Sequence, residues 1–366
     1  MPQCLALLVS ALLLPSLAQA RDYDTYRADY FKGAFCSAIG GACAADNDMI
    51  SGLFQNPAAL ATGEATWDFD GDYASRGIVE PGTVSGNNGA VDSSAVGGLA
   101  YSTGKWGMGL SFIWRHSNVD SATTIYEDSG KKLGTRLYGD VYTTQFRLPI
   151  AYHFNGGGSV GVTFVVNHQF EELNISNPVN VLQTQPSTTQ LRILVGGLLP
   201  LSPDLRLGTW FRLPSNIADY IAFSSPTTGF VSYKEDFSQH SPWIWALGGA
   251  YQASPTWNLY AENDLIGPTR QGYLFSYSVF TVDSTNTALT EKGHSIVFEP
   301  HLGARHKFNE KLRMHMGAYF ENSRWEKVAG RVHGTGGISY QVGNLVEVIA
   351  GADIARRFKQ IFFTFR

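Results

Sequence analysis

From Trp106 to Arg115 bulky apolar residues alternate with small or polar ones at every step: Trp106, Met108, Leu110, Phe112 and Trp114 against Gly107, Gly109, Ser111, Ile113 and Arg115. A period of two places these sets on opposite faces of a β-strand. The longest such run sets Tyr142, Thr144, Phe146, Leu148, Ile150, Tyr152 and Phe154 against Thr143, Gln145, Arg147, Pro149 and Ala151. Asn155-Gly156-Gly157-Gly158 then turns the chain back through Val160, Val162, Phe164 and Val166, which predicts a hairpin. Trp67, Phe69 and Tyr73 likewise oppose Asp68, Asp70 and Asp72.

The same pattern runs to the end of the chain. Short turns are predicted at Thr103-Gly104-Lys105, residues 200–204, Ser254-Pro255, Asn309-Glu310 and Gly343-Asn344, and long polar connections at residues 77–93, 117–134, beyond Leu213 and beyond Ala261. The segments number about fourteen on the strand spacing expected of a membrane barrel. Two packed sheets have no reason to alternate long and short connections, whereas a membrane barrel has short turns on one side and long loops on the other. A soluble protein would also have to leave the regularly placed Trp and Phe in water. The expected fold class is therefore all-β: a transmembrane antiparallel β-barrel of about 14 strands with a small N-terminal hatch, or plug, segment.

Composition agrees, with 16% charged residues, 13% aromatics and 39 glycines. A net charge of −4 with scattered Lys and Arg argues against a nucleic-acid partner. Residues 1–20 read as an export signal, with an apolar core from Leu5 to Leu14 and Ala18-Gln19-Ala20 as the cleavage site. No later apolar run is long enough for a membrane helix, so any span must be β. Removal of the signal leaves Cys36 and Cys43 in an oxidising compartment, where they are expected to pair or else remain small buried thiols. The domain reading is 1–20 signal peptide, 21–63 hatch and 64–366 barrel.

Within the hatch, residues 32–60 are dominated by Gly, Ala and Ser yet carry Ile50, Leu53, Phe54 and Leu60, which a solvated linker would not need. Two stretches, Ala44-Ala45-Asp46-Asn47-Asp48 and Gly52-Leu53-Phe54-Gln55-Asn56-Pro57-Ala58-Ala59-Leu60, resemble the hatch of the FadL-like family of outer-membrane long-chain fatty-acid and hydrocarbon transporters. That family pairs a small-residue, Asp-containing run with an Asn-Pro-Ala-Gly-Leu-like motif and a fourteen-stranded barrel. This chain has Ala59 where Gly is common, and it ends on Arg366 where many such barrels end on an aromatic.

The resemblance implies a channel in the cell outer membrane of a Gram-negative-type bacterium that takes up hydrophobic small molecules past its plug. Asp46, Asn47, Asn56, Pro57 and Ala58 would be the plug residues. Outer-membrane lipid and a hydrophobic ligand would be the partners, with no cofactor, metal or enzymatic chemistry. The family also includes accessories to protein secretion, so the alternative is a non-transporting barrel that docks a protein partner or serves a structural role.

Motifs for nucleophilic, phosphate or zinc-helix chemistry are absent from the sequence. His301, His315 and His333 fall on inward faces, where hydrogen-bonded structural roles are expected. Asp68, Asp70, Arg115, Arg147, Arg192, Arg206, Glu299, Arg305 and Arg313 are expected to be lumen charges, as are Arg212 and Glu262. They would either brace the plug or hold a ligand carboxylate. Apolar residues in the two longest connections, Ile221 and Phe223 in the first and Leu274, Phe275 and Phe280 in the second, suggest a ligand-collecting groove or else strands that extend beyond the bilayer.

Overall fold

The computed structural model describes residues 32–61, 66–77, 89–128, 131–176, 181–184, 187–224, 234–268, 295–322, 330–343, 346–355 and 358–366. The expected signal peptide at 1–20 lies outside them, as do Leu274, Phe275 and Phe280. Among the described residues, seventeen strands, all paired antiparallel, follow two short helices and a 3-10 turn. They are β1 (Thr66–Gly77), β2 (Gly89–Ser102), β3 (Trp106–Asp128), β4 (Lys131–His153), β5 (Ser159–Ser176), β6 (Val181–Thr184), β7 (Ser187–Pro200), β8 (Leu205–Arg212) and β9 (Ser215–Ser224). The remainder are β10 (Lys234–Ser241), β11 (Ile244–Ser254), β12 (Trp257–Ile266), β13 (Val297–Lys307), β14 (Leu312–Glu321), β15 (Arg331–Val342), β16 (Val346–Ala355) and β17 (Phe358–Phe365).

Pairing closes a ring. β1 pairs with β2 on one side and with β17 on the other, β5 pairs with β7, and β8 pairs with β11. Seventeen strands without β6, β9 and β10 leave fourteen in this closed wall. Closure leaves no edge, the condition a sheet must meet to cross lipid. The expected outward face is outward: Trp106, Met108, Leu110, Phe112 and Trp114 are 37–54% exposed, and Phe146, Leu148, Leu191, Leu247 and Ile361 are exposed with them. At the short-turn end Trp106 packs edge-on to Tyr152 at 4.8 Å, and Tyr152 packs against Phe154 at 5.2 Å. These rings suit a membrane–water boundary, since each has an apolar body and Trp and Tyr carry a polar tip.

Three connections differ from their sequence reading. Residues 89–93, expected as loop, pair with β1 from Ser93↔Tyr73 to Gly89↔Gly77. The loop expected at 117–134 is a hairpin in register from Ser117↔Val141 to Asp128↔Lys131, built from β-branched and aromatic residues such as Val119, Thr123, Thr124 and Tyr126. The connection beyond Leu213 contains β9 and β10, paired from Ser215↔Ser241 to Ala222↔Lys234, with β6 joined at Gln183↔Ser224. Ile221 and Phe223 therefore belong to a strand extension. Pro214 and Pro242, which lack N–H groups, lie where the wall strands β8 and β11 hand over to that extension. Pro149 has a similar effect within the wall, where the β3–β4 ladder jumps from Met108↔Ile150 to Ser111↔Arg147.

Candidate functional site: the seam between hatch and wall

The hatch is compact because of local rules that act over a few residues. Helix α1 (Ala34–Ala38) ends in Gly40 and Gly41, whose φ values of 69° and 77° favour glycine, and this reversal brings Cys43 back to Cys36. Their Cα atoms lie 5.7 Å apart and the sulfurs are bonded, closing a small loop. Asp48 caps helix α2 (Met49–Phe54) by accepting the Ile50 N–H at 3.0 Å. Ser51 donates to Asp46 at 2.8 Å, and a 3-10 turn (Pro57–Ala61) follows Asn56.

Small residues of the hatch meet glycines of the wall. A Cβ at Gly208 would sit 1.9 Å from the Ala44 carbonyl oxygen, one at Gly107 2.2 Å from that of Leu60, and one at Gly317 2.2 Å from the Gly40 nitrogen. Backbone lies against backbone at these points. Leu53 fills the space over Gly98 and Gly109, and packs with Met49, Ile50, Phe54, Val96 and Ile113 in one apolar cluster.

Polar contacts complete the seam. Asn56 is fully buried; its Nδ2 donates to the carbonyls of Ala44 at 2.6 Å and Gly197 at 3.0 Å, and its Oδ1 accepts the Ala58 N–H at 3.2 Å. From the wall, Arg147 Nη1 donates to Phe54 O at 2.6 Å, Ser159 to Ala58 O at 2.9 Å, Thr335 to Ala38 O at 3.0 Å and His301 Nδ1 to Gly40 O at 2.7 Å. Glu262 accepts the Ala44 N–H at 2.6 Å, and Arg206 Nε reaches Ala45 O at 3.4 Å. Each of these satisfies a hatch backbone group that is closed off from water.

The expected lumen charges fall into groups. Arg147 and Arg206 touch hatch carbonyls, and the Arg305 guanidinium lies 5.7 Å from the centre of the Phe35 ring. Arg313 pairs with Glu347 at 3.0 Å, Arg115 with Asp92 at 3.5 Å, and Arg192 bonds Gln190 at 2.9 Å through Nε. Glu299 is buried beside Asp264 and His301. The side chains of Asp68 and Asp70 lie outside the described residues, and Asn47 is exposed on the hatch.

His333 bridges Asp353 and Glu321 at 2.8 Å each, a structural network. His315 Nε2 lies 3.1 Å from Ser339 Oγ, and its Nδ1 has no hydrogen-bond partner among the described residues.

Sequence reasoning missed the end of the chain. Arg366 donates to Asp48 of the hatch at 2.5 Å, pairs with Glu347 at 2.7 Å and lies 5.3 Å from the Phe35 ring centre. The departure from an aromatic C-terminus was the one available signal. Burial raises the carboxyl pKa of Asp48, but the Arg366 charge and the Ile50 N–H more than offset this and hold it below the usual range. For neighbouring Asp46, burial and then the Asp48 charge push the pKa up.

The signs are opposite. The depressed Asp48 stabilises the closed hatch above the ordinary carboxylate pKa of about 3.9, and this is lost as pH falls through its folded value. The raised Asp46 favours closure at low pH and loses that contribution as pH rises through its own folded value. Proteolysis of the detergent-solubilised protein is expected to cut the hatch about 10-fold faster as Asp48 protonates, the scale of one charge-assisted hydrogen bond. In Asp48→Asn acidification should instead protect it, and equal acid release in both proteins would remove the latch.

An apolar strip also lines the lumen. Val165, Leu194, Trp210, Ile244, Ile266 and Val297, from six wall strands, form one buried cluster with Ala44 of the hatch.

No protein-family model matches the chain, and no curated protein sequence matches it. Solved structures do. A Pseudomonas aeruginosa FadL homologue aligns with a TM-score of 0.62 at 13% identity, covering 91% of this chain and 97% of its own. The Ralstonia pickettii toluene transporter TbuX aligns at 0.63 and 17%, covering 91% and 96%. The Pseudomonas putida toluene transporter TodX aligns at 0.58 and 12%, covering 95% and 97%. At such identities the likeness is one of fold: the described residues form a barrel like those of these structures, fourteen strands closed around an N-terminal hatch.

Proposed function

We propose that the protein is an outer-membrane channel that carries hydrophobic small molecules past its hatch, with long-chain fatty acids and aromatic hydrocarbons as the two ligand classes. The observation that carries this reading is the apolar strip from Val165 to Val297 beside the hatch. Large open barrels have polar interiors, and a lumen that only braced a plug would not need six inward apolar side chains. The names of the fold neighbours, FadL homologue and toluene transporter, support the same ligand chemistry. In this reading the short turns face the periplasm and the strand extensions face outside.

Expression in a bacterial strain deprived of its own fatty-acid and hydrocarbon channels tests it. Uptake of labelled oleate or toluene should rise at least about 10-fold above the empty strain, and Ile266→Asp, whose cross-strand neighbours are Ile244 and Val297, should abolish the gain while heat-modifiable barrel folding persists, since an unpaired buried charge blocks an apolar path. Absence of uptake of both by folded protein would reject transport in favour of a docking or structural barrel.

A further inference from the structure

The register of β12 and β13 sets Glu262 opposite His301 and Asp264 opposite Glu299. All four are inward and at most 4% exposed. One donor atom each from Asp264, Glu299 and His301 lie within 4.8 Å of one another. His301 Nδ1 is 2.7 Å from the Gly40 carbonyl, which can only accept, so Nδ1 carries the proton and donates. This leaves Nε2 to point its lone pair into the cluster, 3.4 Å from a carboxylate oxygen of Asp264 and without a hydrogen-bond partner among the described residues. Two acceptors facing each other in a buried place repel unless a cation or a proton lies between them.

Glu262 adds a second unpartnered atom. Its Oε2 accepts the Ala44 N–H, while its Oε1, in a side chain 4% exposed, meets no donor among the described residues. Lys32 Nζ stands 3.7 Å from Asp264 and brings one positive charge to a group of three carboxylates.

We propose that Asp264, Glu299 and His301, with Glu262 beside them, form a buried site for a divalent cation of the zinc type that fastens the hatch to the wall. The donor set decides the class of ion. Calcium and magnesium take oxygen ligands, whereas an imidazole nitrogen with carboxylates suits Zn²⁺ and neighbouring first-row metals. Zinc-to-ligand distances of about 2.0–2.2 Å place tetrahedral donors about 3.3–3.6 Å apart; His301 Nε2 and Asp264 already stand at 3.4 Å, and donors as far as 4.8 Å apart must draw in by about an ångström. The outer contacts already fit: a metal-bound His commonly gives its other N–H to a backbone carbonyl, here that of Gly40, and Glu262 holds the Ala44 N–H. An ion at this point would join β12 and β13 to residues 40–44 of the hatch. The sequence pattern did not suggest it because the ligands sit on two strands separated by a long connection.

The test uses chelator-stripped, folded protein in detergent. Equilibrium dialysis against micromolar Zn²⁺ should leave about one ion per chain, and Glu299→Gln and His301→Gln should weaken binding at least about 10-fold, the scale of lost metal-site contacts. Hydrogen exchange at the Ala44 amide should slow by a similar factor when Zn²⁺ is added to the parent and stay unchanged in Glu299→Gln. Co²⁺ in the parent should give the intense visible bands of a low-coordinate nitrogen–oxygen site, a readout that stands even if a variant fails to fold. Zinc retention equal in parent and folded variants, or a Co²⁺ spectrum like that of the aqueous ion, would overturn the site. Binding without slower exchange would overturn its role as a staple.

Discussion

Gly208→Val is expected to unseat the hatch while leaving the barrel closed. Its Cβ would fall 1.9 Å from Ala44 O, 2.4 Å from Ala44 C and 2.5 Å from Ala45 Cα, all backbone that no side-chain rotation can move aside. The hatch must retreat, and in doing so it stretches the Glu262–Ala44 and Asn56–Ala44 hydrogen bonds, both 2.6 Å. Overpacking costs about 1–3 kcal/mol and each buried polar group left unpaired about 1–3 more. A total near 4 kcal/mol corresponds to about a 1,000-fold rise in exchange at the Ala44 amide. Gly97→Ala, where a Cβ would meet nothing within 4 Å, is the control and should change nothing. If Gly208→Val exchanges at the parent's rate, the close approach of hatch to wall does not hold the hatch.

The second large effect concerns movement, and it rests on the transport reading. Ala38 is fully buried, and its Cβ lies 3.1 Å from the position a Cβ would take at Gly337 on β15. A disulfide needs about 3.5–4.5 Å between Cβ atoms, so Ala38→Cys with Gly337→Cys requires only a small opening of this contact. Once oxidised, the pair is expected to lower uptake more than about 10-fold, and reduction to restore it, because a hatch bonded to the wall cannot yield to a ligand. The parent, whose cysteines beyond the expected signal segment are Cys36 and Cys43, should respond little to the same treatment, and peptide mapping should show that native pair intact. Full transport by the cross-linked protein would mean that ligand passes without movement of α1.

Glu262→Gln would probe hatch and cation site together, so Glu299→Gln is the cleaner choice for separating them. Glu262 bonds hatch backbone directly, whereas Glu299 reaches the hatch through the cluster it shares with His301.

The sequence alone determined which strand residues face outward and where the short turns lie. Strand alternation is a local property with a period of two, so Trp106 to Trp114 and Phe146 to Phe154 could be assigned to an outer face before any pairing was known. Short turns such as Asn155 to Gly158 carry their own chemistry in Gly and Asn. The hatch was legible as a region because its composition of Gly and Ala differs from that of the strands, and Asn56-Pro57 as a turn because proline fixes its own φ and restricts the residue before it.

The tertiary structure decided what depends on register and closure. Alternation states that Glu262, Asp264, Glu299 and His301 face inward, but only the β12–β13 register makes them neighbours. Gly208 is one more small strand residue in the sequence until Ala44 rests on it, and nothing local to Arg366 announces the Asp48 that the closed ring brings to it. The hairpin beyond Ser117 was read as loop because polar Ser, Asn and Thr dominate there, and outside the bilayer a strand needs no apolar face to keep its ladder. Local patterning fixes the direction of each side chain, while the partners across the lumen are set by the stagger of fourteen strands around a closed ring, which no single segment encodes.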